Sequence, residues 1–258
     1  MENALTTTKN FYELPNDQLR RAAEHYGAYS SSFVHREGHH KTAKYWRDTL
    51  PFYLPSGTID YDDTAFLFNF RVGFFASLVK GVAENLVSCI SEGLGLGKTY
   101  FDDQGLTTVR RLNLNSYPRC PCPNLTCGMA KHYDPDLLTI TLEGGAHGLQ
   151  ILDENNQWQT VKAQPNALIV TIGTQMEVVS NGILKAPAHR VIVNDQRERT
   201  SICYAIAPAN TSTVGPAVTG LPGARPAQYK NNYPYGEYLE QHMTNYRDTS
   251  VCFSKFKL

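Results

Sequence analysis

From about residue 106 the chain is cut into seven short runs rich in β-branched and aromatic residues: TTVRRLNLNSY, LLTITLEG, GLQILD, QWQTVKA, ALIVTIG, HRVIVN and TSICYAIAP, divided by turn residues. Short strands at this spacing predict a sandwich or a jelly roll. The residues before them read as helical or irregular. PNDQLRRAAEHY has Asn16 or Asp17 as an N-cap, and Pro51, Pro55 and Gly57 break the stretch around Phe52. In SLVKGVAENLVSCISEGLGLG, Val79, Val82, Ala83, Leu86, Val87 and Ile90 follow helical spacing, and Gly93 to Gly97 end that helix. After the strands come a loop, LPGARPAQYKNNYP, and a helix, YGEYLEQHMTNY. The expected fold is mainly β with helices, an antiparallel double sheet buttressed on one side. The expected division is 1–105 as a helical N-terminal portion packing on the core, 106–210 as the core with its site, and 211–258 as a loop and helix closing the site.

The chain has 258 residues, with 24 Lys and Arg against 24 Asp and Glu. Balanced charge without a long basic run leaves no electrostatic footprint for nucleic acid or an anionic membrane, so the expected partner is a small molecule and the expected state a monomer. The N-terminus lacks the basic and apolar regions of a secretory signal, and no stretch reads as the ~18 apolar residues of a membrane span, which predicts a cytoplasmic protein. Six cysteines in a cytosolic chain of this size are read as reduced thiols. Cys120, Cys122 and Cys127 cluster, but their spacing fits no common zinc pattern. The sequon at Asn124 is uninformative without secretion.

Side chains at i and i+2 of a strand share a face. Three polar pairs sit this way at the ends of apolar runs: His132 and Asp134, Asn115 and Tyr117, and Arg199 and Ser201. His189 begins a run in which Val191 and Val193 share its face, so it supplies a second imidazole. Two His and one carboxylate on one side of a metal leave positions open, an arrangement that favours Fe(II) binding a cosubstrate and dioxygen. A zinc hydrolase could use a similar set. It would leave unexplained Arg199, ten residues beyond His189. A guanidinium fork suits a carboxylate, with Ser201 and Tyr117 able to donate further bonds. A dicarboxylic 2-oxo acid satisfies both halves, one end on the metal and the other on Arg199, so the predicted cosubstrate is 2-oxoglutarate.

The order NSYPRCP, HYDPDLLTI, GLQIL, SNG…HRV and RTS resembles the plant-type 2-oxoglutarate and Fe(II)-dependent dioxygenases, from about Phe11 to Tyr246. HYDPDLLTI and YWRDTLPFYL are similar to segments of gibberellin oxidases and tropane alkaloid hydroxylases, and SNGILKAPAHRV to flavonoid and benzylisoquinoline enzymes. The resemblance implies a double-stranded β-helix (jelly-roll) core, with His132, Asp134 and His189 as iron ligands and Arg199, Ser201, Tyr117 and Asn115 around 2-oxoglutarate. It also implies dioxygen as co-reactant, stimulation by ascorbate, and succinate and carbon dioxide as products. The substrate would be a small, largely apolar specialised metabolite or hormone such as a terpenoid acid, alkaloid or flavonoid. It would be hydroxylated, desaturated, ring-closed or demethylated.

Two departures from the family pattern stand out. The chain starts near the family's FFxLP segment, which predicts a missing or exposed sheet edge and leaves a truncated, non-catalytic binding homologue as the alternative. Thr174 stands where the family commonly has Asp, which is expected to alter support of the core and not iron binding.

Overall fold

The computed structural model describes residues 1–15, 30–31, 45–54, 66–220, 225–244 and 249–258, and only the backbone of 30–31, 66–69 and 220. The expected helix at PNDQLRRAAEHY lies outside the described residues. Two antiparallel sheets face each other. One has six strands in the order β1 (Ser30–Ser31), β2 (Asp48–Tyr53), β3 (Val109–Tyr117), β10 (Arg199–Ala207), β5 (Leu138–Gly145) and β8 (Ile169–Ile172). The other has four, β4 (Met129–His132), β9 (His189–Val191), β6 (Leu149–Leu152) and β7 (Trp158–Thr160).

Alternation along the strands explains why the larger sheet has two different faces. Ile202 of β10 lies between Leu114 of β3 and Leu142 of β5, an apolar row fully or almost fully buried. One residue along, Ser201 lies between Asn115 and Glu143, a polar row on the opposite face. The apolar rows pack against two helices, α1 (Glu2–Tyr12) through Ala4, Phe11 and Tyr12, and α2 (Phe66–Gly93) through Val72, Phe75, Ala76, Val79, Ala83 and Val87. Each large apolar side chain buried there contributes about 1.5–3 kcal/mol. The polar rows face the space between the sheets, where Tyr117, Cys120, Leu149, Val191 and Val193 form a second, smaller apolar cluster.

Several elements differ from the sequence reading. Asp48–Tyr53, taken as irregular because of its prolines, is a strand: Pro51 lies beyond the two residues that pair with β1, so its missing N–H interrupts no bond on that side. The long helix begins at Phe66, well before the periodic stretch. Phe75 joins the core, but Phe70 and Phe74 are half-exposed and stack on each other with ring centroids 6.4 Å apart. Residues 70–93 are also long and apolar enough to pass as a membrane span, at 24 residues and mean hydropathy 1.3, contrary to the expectation above. One face of that helix is instead the inner layer packed on the sheet.

Candidate functional site

β4 and β9 pair so that His132 lies directly opposite His189, and their ring centroids are 4.1 Å apart. Asp134 is not on the strand with His132, as the i, i+2 argument assumed. It lies in the connection between β4 and β5, and its position is fixed from behind. The backbone N–H and the hydroxyl of Thr174 both donate to the Asp134 carbonyl, at 2.9 and 3.0 Å. Tyr238, on α3 (Tyr235–Thr244), donates to that hydroxyl at 2.8 Å. The neighbouring Tyr133 N–H donates to the hydroxyl of Thr249 on α4 (Thr249–Ser254). In this way the C-terminal helices hold the segment that carries His132 and Asp134.

His189 is placed by the SNG turn. Asn181 adopts φ +50°, a left-handed conformation Asn tolerates, and its side chain bridges to the Pro226 carbonyl and the Gln228 N–H. The buried Glu177 carboxylate accepts from the Tyr229 hydroxyl at 2.6 Å and the Ala186 N–H at 2.7 Å, which anchors the approach to β9 (His189–Val191).

The two imidazoles are oriented in the same way. Nδ1 of His132 lies 2.9 Å from the Ala130 carbonyl and Nδ1 of His189 3.1 Å from the Pro187 carbonyl. A carbonyl only accepts, so each Nδ1 carries the proton and each Nε2 presents a lone pair. Those Nε2 atoms are 3.6 and 3.5 Å from Asp134 Oδ1, and the three ligand atoms lie within 4.8 Å of one another. Burial pushes the Asp134 carboxyl up, but the flanking imidazoles, His189 foremost, outweigh it and hold the group well below the usual carboxylate range. Burial lowers His132, with His189 adding to the effect. Burial also pulls His189 down, yet it ends above the ordinary imidazole range because Asp134 faces it. Two Nε2 donors and an ionised carboxylate fit a divalent transition metal with positions left open. Among the described residues this is the one cluster of three His, Cys, Asp or Glu side chains with that spacing. Cys120, Cys122 and Cys127 are unpaired thiols.

Arg199, Ser201, Asn115 and Tyr117 come together on the polar face of β3 and β10. Asn115 Nδ2 donates to Ser201 Oγ at 3.3 Å, and its Oδ1 accepts from Thr49. The Arg199 guanidinium lies over the Tyr117 ring, 4.9 Å from its centroid, and its Nη1 reaches Ser201 Oγ at 3.4 Å. This group and the metal-ligand cluster share one interior. Val191, next but one to His189, packs in the same apolar cluster as Tyr117. A side-chain carbon at Gly148 would meet both the Ile192 carbonyl and Arg199 Cδ, at 2.7 and 3.0 Å.

Two features were not read from the sequence. Glu143 takes the Arg199 guanidinium, with Nε and Nη2 both donating to Oε2 at 3.0 and 2.6 Å. Its signal was present in LLTITLEG, where Thr139, Thr141 and Glu143 alternate with Leu138, Ile140 and Leu142. The second is that Thr174 does more than support the core: it holds the backbone of a candidate ligand. Thr174→Val is expected to leave the buried Tyr238 hydroxyl without its acceptor, costing about 1–3 kcal/mol. The expected readout is a melting temperature lower by about 2–4 °C for each kcal/mol, with the metal-ligand side chains untouched. An unchanged melt would show that the hydroxyl contributes nothing.

Residues 108–208 match the model of the 2OG-Fe(II) oxygenase superfamily. The chain is 34% identical over 232 residues to flavanone 3-dioxygenase 2 of Oryza sativa subsp. japonica, covering 88% of this chain and 66% of that protein. It is 34% identical over 239 residues to jasmonate-induced oxygenase 4 of Arabidopsis thaliana, covering 89% of this chain and 67% of the relative. Its fold is similar to that of JOX2 in complex with 2OG, Fe and JA, with a TM-score of 0.82 at 24% identity, covering 100% of this chain and 78% of the other. The chain therefore spans slightly less than two thirds of the rice relative's length. It belongs to the 2OG-Fe(II) oxygenase superfamily, and its two facing antiparallel sheets are that family's double-stranded β-helix core with flanking helices. The cofactor and cosubstrate that go with the family are Fe(II) and 2-oxoglutarate.

Proposed function

We propose that the protein is a 2-oxoglutarate- and Fe(II)-dependent oxygenase of a small, largely apolar specialised metabolite, with His132, Asp134 and His189 holding the iron and Arg199, Ser201, Tyr117 and Asn115 holding the cosubstrate. The observation that carries this reading is the convergence of two Nε2 lone pairs and one ionised carboxylate in the same interior as a buried guanidinium. Bound Fe(II) supplies the redox chemistry that couples loss of carbon dioxide from 2-oxoglutarate to oxidation of the substrate. The chain's own residues position and exclude. The carbonyls of Ala130 and Pro187 keep Nε2 of each imidazole aimed at the metal, and Arg199 with Ser201 fixes the far carboxylate of the cosubstrate. Leu149, Val191 and Val193, with Met129 and Trp46 against them, keep bulk water from the interior.

The apolar walls and the name of the flavanone relative support a metabolite such as a flavonoid, and the same walls suit a terpenoid acid or an alkaloid. Six unpaired cysteines support a reducing, cytosolic setting. Incubating the Fe(II)-loaded protein with 2-oxoglutarate and a panel of such metabolites in air is expected to give succinate and an oxidised product, both absent with chelator. Iron-independent, dioxygen-independent turnover would favour a zinc hydrolase instead.

Gly128 gives a test weighted toward the cosubstrate side, since the third neighbour of a methyl there is Val191 Cγ1 at 3.0 Å, on the strand of His189. An alanine methyl there would sit 2.6 and 2.7 Å from Cδ1 and Cε1 of Tyr117, displacing the ring on which Arg199 rests. Gly128→Ala is expected to cost about 1–3 kcal/mol of stability. It is also expected to weaken 2-oxoglutarate roughly tenfold in calorimetric titration while leaving Fe(II) affinity as it was.

A further inference from the structure

We infer that Glu143 is an internal competitor for the Arg199 guanidinium and sets how tightly and how selectively the site takes a dicarboxylate, an inference that rests on Arg199 being the 2-oxoglutarate anchor. The guanidinium already has a counter-ion. The side chains of Arg199 and Glu143 are 4% and 2% exposed, and one carboxylate oxygen, Oε2, accepts from both Nε and Nη2. Only Nη1 is left with a single long bond, to Ser201. An incoming carboxylate thus approaches a pair that is already neutral, and at that range it meets repulsion from Glu143 comparable with the attraction of Arg199.

The rest of the glutamate is arranged for release. Its Oε1 is buried without a hydrogen bond and lies 3.7 Å from Nδ1 of half-exposed His147. A cleft of about 360 Å³ lined by Glu143, Gly144, Gly145, Ala146, His147 and Pro165 opens on that side. The carboxylate can turn toward His147 and this cleft as the cosubstrate takes the fork.

The test compares 2-oxoglutarate with its 5-amide, 2-oxoglutaramate, which has the same shape and no charge at the far end. Both are titrated calorimetrically into metal-loaded protein under nitrogen. Glu143→Gln, close to isosteric and neutral, is expected to bind 2-oxoglutarate about tenfold or more tightly than the parent with little gain for the amide, so the preference for the dicarboxylate rises by a similar factor. An unchanged or reduced preference in Glu143→Gln overturns the inference. The double variant Arg199→Gln/Glu143→Gln separates that failure from failure of the anchor assignment. If it binds 2-oxoglutarate as well as Glu143→Gln does, Arg199 is not the anchor and the inference falls with it. Should Glu143→Gln not fold, Glu143→Asp, which withdraws the charge by one methylene, is expected to raise the preference by a smaller factor, and no rise overturns the inference.

Discussion

Asp134→Ala is expected to abolish Fe(II) binding at micromolar metal and to remove succinate formation with it. The carboxylate is the one anionic ligand, and Oδ1 is the atom both Nε2 donors face, at 3.5 and 3.6 Å. Loss of an outer contact to a metal ligand commonly costs 10–100-fold in affinity, so loss of the ligand itself is expected to exceed about 100-fold. The Asp134 backbone would stay in place, because it is held through its carbonyl by Thr174. A folded variant with normal metal content would remove Asp134 from the site. Thr174→Val is the converse case, lowering stability while keeping the ligand side chains.

Arg199→Ala is expected to keep iron and lose 2-oxoglutarate, but the single variant also strands a carboxylate. Glu143 would remain 2% exposed with its counter-ion gone, which costs about 3–5 kcal/mol for a buried pair. A protein of ordinary stability, about 5–15 kcal/mol, would be marginal after that loss. Removing both charges avoids most of the penalty, so Arg199→Gln/Glu143→Gln is the informative variant. Its melting temperature is expected near that of the parent and its Fe(II) affinity unchanged. Its 2-oxoglutarate affinity is expected to lie at least about 30-fold below that of Glu143→Gln, the lower bound for loss of a buried charge partner. A 2-oxoglutarate affinity equal to that of Glu143→Gln would refute the assignment of Arg199.

Much of this site was legible because strand geometry is local. Asn115 and Tyr117, and Arg199 and Ser201, do share a face, and the register of β10 on β3 places Ser201 opposite Asn115 and Arg199 opposite Tyr117. The seven runs became strands with ends shifted by a few residues. Features that failed depend on tertiary neighbours. Asp134 was put on a strand because spacing alone does not show that Thr174, far along the chain, pins it in a loop. Pro51 and Pro55 hid β2, since a proline is tolerated where no neighbour needs its N–H, and only the position of β1 reveals that. Glu143 reads locally as one more strand residue, although it sits in the same row as Ser201 and Asn115. Seeing it required the pairing of β5 with β10, which no local pattern supplies. The exposed Phe70 and Phe74 belong with these cases, because helical periodicity does not tell which side of a mostly apolar helix meets the sheet.

The most direct measurement is an anaerobic titration of the Fe(II)-loaded protein with 2-oxoglutarate, followed in the visible spectrum and then opened to air for a succinate assay. A metal-to-ligand charge-transfer band that saturates with 2-oxoglutarate, followed by succinate, is the predicted result. It would place the 2-oxo acid on iron held by His132, Asp134 and His189. No band despite bound iron would contradict the account and favour a non-catalytic homologue that binds metal alone.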